Sequence, residues 1–100
     1  MKILNLIRHA EAENHFYGEN DFSRELTLSG VSDIVFLDEY LIQYNFKNHK
    51  ILCSAAKRAK ETCYKLRNSL NPDSSVVVTN DLYLATFKNL LKNISYELQN

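Results

Sequence analysis

Neither sign of charge is in excess in this chain of 100 residues: twelve Lys and Arg stand against twelve Asp and Glu, for a formal net charge of zero. Such a balance provides no basic field for nucleic acid and none for an anionic membrane surface, so neither is expected as a partner. Cysteine is scarce as well. Cys53 and Cys63 alone cannot make a disulfide framework, and free thiols in a reducing, cytoplasmic compartment are the simpler reading. No apolar run approaches the roughly 20 residues of a membrane span. The N-terminal run is broken by Asn5 and stops at Arg8, too short for the apolar region of a secretory signal. Repeats and low-complexity tracts are absent. His9, His15 and His49 show no paired ligand spacing and the two cysteines stand ten positions apart, so no metal is expected. What remains, with 45% hydrophobic residues, is the composition of one small globular domain over residues 1–100.

The chain is organised around its first eleven residues, Met1-Lys-Ile-Leu-Asn-Leu-Ile-Arg-His-Ala-Glu11. Ile3, Leu4, Leu6 and Ile7 form a short apolar run that suits a strand buried on both faces of a parallel sheet. Residues 12–25, among them His15, Tyr17, Gly18, Asp21 and Arg24, hold no period. They read as a loop of about a dozen residues, a length often tied to function. A helix comes next, with Thr27 or Ser29 as N-cap. Val31, Ile34, Val35, Leu41 and Ile42 form its apolar face, with Asp33, Asp38 and Glu39 turned outward. Lys50-Ile-Leu-Cys53 is a second strand. Ser54 is a candidate N-cap for a helix with the stripe Ala56, Ala59, Cys63, Leu66 and Leu70, which Asn71-Pro72-Asp73 ends. Val76-Val-Val78 is a third strand. Asn80-Asp81 is a turn, residues 82–85 fit no single element, and a last helix starts near Thr86. Alternating strands and helices imply parallel βαβ units and an α/β fold. Three strands are few for such a sheet, so the chain is expected to be the N-terminal portion of a larger fold, incomplete at its C-terminus.

Two strand ends carry the chemistry. Ligands of open α/β sheets bind beyond the carboxyl ends of the strands, where the first strand delivers Arg8 and His9. An imidazole can attack phosphorus, and an adjacent guanidinium can grip an anion through two donors. At the end of the second strand stand Cys53 and Ser54, with Arg58 one turn into the next helix, whose N-terminus favours anions. If the two strands are neighbours, Arg8, His9, Ser54 and Arg58 converge on one anion pocket. Taken singly, Arg8-His9 is more often a strand end with two solvated side chains, and Arg58 a solvated helix residue. A cysteine phosphatase loop is rejected: it needs an arginine six residues after its cysteine, and Arg58 is five after Cys53 with no glycine between.

Three stretches then resemble a known family. Leu6-Ile-Arg-His-Ala-Glu-Ala12 resembles the Arg-His-Gly motif that opens the histidine phosphatase, or phosphoglycerate mutase-like, superfamily. Asp21-Phe-Ser-Arg-Glu-Leu-Thr-Leu-Ser-Gly30 resembles its D-x-x-R-P-L-T-x-x-G stretch, and Ile51-Leu-Cys-Ser-Ala-Ala-Lys-Arg-Ala-Lys-Glu-Thr62 its S-S-P-x-x-R-A-x-x-T stretch. Leu82-Tyr-Leu-Ala85 before the last helix fits the small SixA-like branch, whose characterised members are phosphohistidine phosphatases. The resemblance implies a three-layer α/β sandwich with a mostly parallel sheet. It also implies a covalent phosphohistidine mechanism without metal or other cofactor. His9 would be the nucleophile, and Arg8 and Arg58 would bind the phosphoryl group. Ser54 and Glu11 are further substrate-binding candidates.

Departures from the pattern carry weight too. Ala10 stands for the usual glycine, and Glu25 and Ala55 stand where proline is common. The family's second histidine has no counterpart, since no histidine comes after His49. The expected function is therefore a phosphatase acting on phosphohistidine, in a protein or otherwise, or on a small phosphomonoester. The alternatives are a truncated or degenerate phosphate- or phosphoprotein-binding domain without turnover, and a half-domain that dimerises through its incomplete sheet.

Overall fold

The structure, a computed structural model, describes residues 3–14, 20–46, 48–73 and 75–99. His15, Tyr17 and Gly18 of the expected loop lie outside the described residues. Helix α1 spans Leu28–Leu41, strand β1 Ile51–Ser54, helix α2 Lys57–Lys65, strand β2 Val76–Thr79 and helix α3 Phe87–Gln99. Two 3₁₀ turns, Asp21–Ser23 and Asn80–Leu82, complete the order. β1 and β2 pair in parallel with Ile51 opposite Val76 and Ser54 opposite Thr79. A parallel pair requires a crossover, and α2 supplies it. The fold is α/β, as the alternation of elements predicts.

Each element has a local cause. The Thr27 hydroxyl accepts from the Gly30 amide at 2.9 Å and caps α1, satisfying a donor that the helix itself leaves unpaired. The core forms where α1 meets α2 and its C-terminal extension, around Leu26, Ile34, Leu66 and Leu70, with Leu66 1% and Ile34 2% exposed. Thr86 caps α3, its hydroxyl accepting from the Asn89 amide at 3.2 Å. Asn89, Leu90 and the rest of α3 lie beyond the turn Asn80–Leu82, while Lys50 pairs with Glu97 at 3.2 Å and ties the helix to the start of β1.

Four expectations need correction. The apolar run of residues 3–7 forms no ladder: Ile3 is 66% and Leu6 73% exposed, and no main-chain hydrogen bond joins residues 3–8 to another described residue. A strand exists only through its partners, and among the described residues this one has none. Asp38 does not turn outward. It is 5% exposed and accepts from the Ser69 amide at 2.8 Å and the Ser69 hydroxyl at 2.6 Å, so two hydrogen bonds outweigh the cost of burying it. Val35 and Ile42 are exposed instead, because Gly30, Ile34 and Asp38 define the inner face of α1. Finally, α2 stops at Lys65, well before Pro72; the Leu66 amide bonds the Cys63 carbonyl at 3.2 Å in a tightened last turn.

Gly30 marks the closest approach in the fold. A Cβ there would lie inside the van der Waals surface of the Glu11 carbonyl oxygen and 3.1 Å from the Glu11 nitrogen. The clash is with main chain, which cannot rotate away. Gly30→Ala is expected to destabilise the chain by about 1–3 kcal/mol, measured by urea unfolding, whereas the exposed Ser29→Ala should stay within about 0.5 kcal/mol.

Candidate active site

The segment that carries the histidine is anchored through residues 10–13, on its C-terminal side. The Ala10 amide donates to the Thr62 hydroxyl at 3.0 Å, and that hydroxyl donates to the Arg58 carbonyl at 2.8 Å. The Glu11 carbonyl accepts from the Thr27 amide at 2.9 Å, and the Glu13 amide donates to the Glu25 carbonyl at 2.7 Å. Ala12 and Leu26 form an antiparallel bridge. Residues 10–13 thus lie along the entry to α1 and the second turn of α2. Ser54, at the end of β1, turns its hydroxyl back to accept from the Ala56 amide at 3.2 Å, where α2 begins. Ser54 is thus hydrogen-bonded at the start of α2, and the residue after His9 is hydrogen-bonded to Thr62 in its second turn, although no ladder joins residues 3–8 to β1.

The histidine ring has a defined tautomer. Its Nδ1 lies 2.7 Å from the Ala10 carbonyl oxygen. A carbonyl can only accept, so Nδ1 carries the proton and the neutral ring keeps its lone pair on Nε2. That is the arrangement a nucleophilic imidazole needs.

The two expected cations differ sharply. Arg8 is exposed and makes no hydrogen bond or ion pair with a described residue. Arg58 is 6% exposed and belongs to a network that composition and spacing did not reveal. Its Nη1 donates to the Asp21 carbonyl at 2.9 Å and its Nη2 to Asp21 Oδ2 at 3.2 Å. Arg24 Nε donates to Asp21 Oδ1 at 3.0 Å. The Tyr83 hydroxyl also donates to Oδ2, and its ring lies 5.7 Å from Arg58 Cζ. Phe22 meets the edge of the same ring at 5.0 Å. Asp21 had a sequence signal, since it opens the second motif. Tyr83 lies in the stretch Leu82-Tyr-Leu-Ala85 that resembles the SixA-like branch, but its contact with Asp21 had no signal, because residues 82–85 fit no single element; the turn Asn80–Leu82 and a left-handed Leu84, at φ 50°, place it.

Glu11 is turned toward α1. Its Oε1 accepts from the Thr27 hydroxyl at 2.7 Å, so the carboxylate extends the N-cap. Glu25 pairs with Lys57 at 2.5 Å on the surface, and the hydrogen bond from Lys57 lowers its pKa. Cys53 is buried and donates to the Ser54 carbonyl at 3.2 Å. Its hydrogen bond with Cys63, together with burial, pushes its thiol up. A thiol so placed is no nucleophile. Among the described residues no cluster of His, Cys, Asp and Glu has the makings of a metal site, and no helix is long and apolar enough to cross a membrane.

The fold is that of the histidine phosphatase, or phosphoglycerate mutase-like, superfamily. Within it the chain is similar to the SixA branch, of which it spans about half the length. A structure from Agrobacterium tumefaciens, assigned as the phosphohistidine phosphatase SixA, matches with a TM-score of 0.79 and 26% identity over 89% of this chain and 57% of the other. A structure from Nakamurella multipartitia with the same assignment matches at 0.74 and 24% over 90% and 48%. The protein histidine phosphatase SixA in complex with tungstate matches at 0.74 and 24% over 92% and 58%. No family model and no curated protein sequence matches the chain.

The electrostatics and the burial of the thiols have measurable outcomes. The hydrogen bond from Tyr83, helped by Arg58 and Arg24 and opposed by desolvation, holds the Asp21 carboxyl at about 2 against an ordinary 3.8. A carboxyl that binds its proton less tightly when folded adds stability above its unfolded pKa and loses it as pH falls through the folded one. Melting temperature should therefore drop between about pH 4 and pH 2, and Asp21→Asn should flatten that part of the profile in thermal unfolding. Neither cysteine should react with an aromatic disulfide reagent in the native chain, and both should react once it is unfolded by urea.

Proposed function

We propose that the chain forms a phosphatase site that hydrolyses phosphohistidine or a small phosphomonoester through a covalent phosphohistidine on His9. The observation that carries this reading is the hydrogen bond from His9 Nδ1 to the Ala10 carbonyl, which leaves Nε2 as the free nucleophile. Nε2 donates its lone pair to phosphorus; the bond from phosphorus to the leaving nitrogen or oxygen breaks, and the leaving group takes that electron pair and a proton from solvent. Arg8 and Arg58 neutralise the equatorial oxygens, which changes the barrier more than it changes ground-state binding. Ser54 adds a donor at the start of α2. Water then attacks phosphorus, the bond to Nε2 breaks, and phosphate leaves with the imidazole restored. The fold and the SixA-type neighbours support this reading, and a phosphorylated protein or small molecule is the partner it calls for. A cytoplasmic location fits the two free thiols.

A second reading, a domain that binds phosphate or a phosphoprotein without turnover, draws on one observation: Arg58 is nearly sealed by Asp21. Hydrolysis of p-nitrophenyl phosphate separates the two. The first reading expects turnover that His9→Ala abolishes and that Arg8→Ala lowers by roughly 10²-fold. Equal rates in the chain and in His9→Ala would remove His9 as nucleophile. No turnover, with tungstate binding that depends on Arg8, would establish the second reading.

A further inference from the structure

We infer that Asp21 and Tyr83 are positioning residues for Arg58: together they fix its guanidinium so that its remaining donors face the bound anion. The inference rests on Arg58 as a phosphoryl-binding cation and adds the residues that aim it. Asp21 holds the fork from two directions, main-chain carbonyl on Nη1 and side-chain carboxylate on Nη2. Turning the guanidinium would break both bonds. Tyr83 acts on both partners of this pair. Its hydroxyl donates to the Asp21 carboxylate, and its ring lies at cation–π distance from the guanidinium. The left-handed Leu84 sets the turn that delivers Tyr83 there.

Donors remain for a ligand. A guanidinium has five N–H groups, and Asp21 takes one on each terminal nitrogen. No buried side-chain nitrogen or oxygen among the described residues lacks a hydrogen-bond partner. The Nε of Arg58 donates to none of them and is therefore not fully buried, on a side chain that is 7% exposed. An arginine held this way has already lost the rotamer freedom that anion binding would otherwise remove, and its free edge is pre-aimed. Asp21 is hydrogen-bonded to Arg58 and the residue after His9 to Thr62, one turn further along the same face of α2.

The test uses tungstate, a phosphate-shaped oxyanion, titrated into the whole chain well below its melting temperature. Affinity is read by calorimetry, and the Arg58 Nε–H resonance, identified by its loss in Arg58→Ala, by NMR. The chain is expected to bind and Arg58→Ala to lose binding. Tyr83→Phe keeps the ring and removes the hydroxyl; it should weaken binding by roughly tenfold and shift the Nε–H resonance before any tungstate is added, a change that a loss of stability alone would not produce. Asp21→Asn should do the same, and Tyr83→Phe decides the matter if Asp21→Asn does not fold. Binding by Tyr83→Phe as tight as that of the parent chain, or tighter, with the resonance unmoved, overturns the inference while Arg58 keeps its role. No binding by the parent chain, or undiminished binding by Arg58→Ala, overturns the reading of Arg58 and the inference with it.

Discussion

One carboxylate joins three parts of the chain that are distant in sequence. Asp21 sits at the start of a 3₁₀ turn, and it gathers Arg24 from that turn, Arg58 from α2 and Tyr83 from the segment after β2. Without it, Arg58 would be a buried cation with no countercharge, which a protein interior does not tolerate. The two arginines and the hydroxyl in turn keep the carboxylate ionised. The cluster is therefore all or nothing, and it replaces the packing that a loop cannot supply. Residues 20–26 are held against α2 by charge, with Glu25 on Lys57 and the Leu26 amide on Glu61 at 3.3 Å adding to the seam.

A second seam is made of main chain. Glu11 and Gly30 are in contact with no side chain between them, and Thr27 joins them by accepting from the Gly30 amide while donating to the Glu11 carboxylate. The cap of α1 and the path of residues 10–12 are thus one structure. Thr62 does the same for α2, since its hydroxyl links the Ala10 amide to the Arg58 carbonyl. These two threonines belong to the second and third motifs of the sequence, and their role is to seat the residues just after His9. A motif that reads as chemistry can owe half of its residues to such joinery.

What the sequence made legible is what local rules govern. Thr27 as N-cap, β1 at residues 51–54, β2 at Val76 and α3 beginning past Thr86 all come from turn chemistry, β-branching and period, and each stands within a residue or two of its expected place. Ser54 and Arg58 stand together at the β1–α2 junction because strand ends and helix starts adjoin in any βα unit. The misses are tertiary. Asp38 is polar by composition, yet it is buried because Ser69 offers two donors, and nothing local to α1 announces Ser69. Tyr83 sits in a stretch that fits no single element, and its backbone turns at Leu84. Residues 3–7 have the right pattern for a buried strand, but a pattern cannot provide the partner that makes one.

The missing partner bears on how the two cations can serve one anion. Main-chain bonds hold residues 10–13 on several sides, and they stop at Ala10; residues 3–8 have none to another described residue. His9 lies at the boundary and secures itself with its own ring on the Ala10 carbonyl. Arg8 lies outside it, exposed and without a partner among the described residues. Binding a phosphoryl group would then order Arg8 and find Arg58 already ordered. Loss of side-chain freedom costs about 2 kcal/mol for an arginine, so the two contribute unequally even at equal distance from the anion. In the proposed site the fixed cation would therefore set where phosphorus sits relative to Nε2, and the contribution of Arg8 would depend on how well residues 3–8 are held.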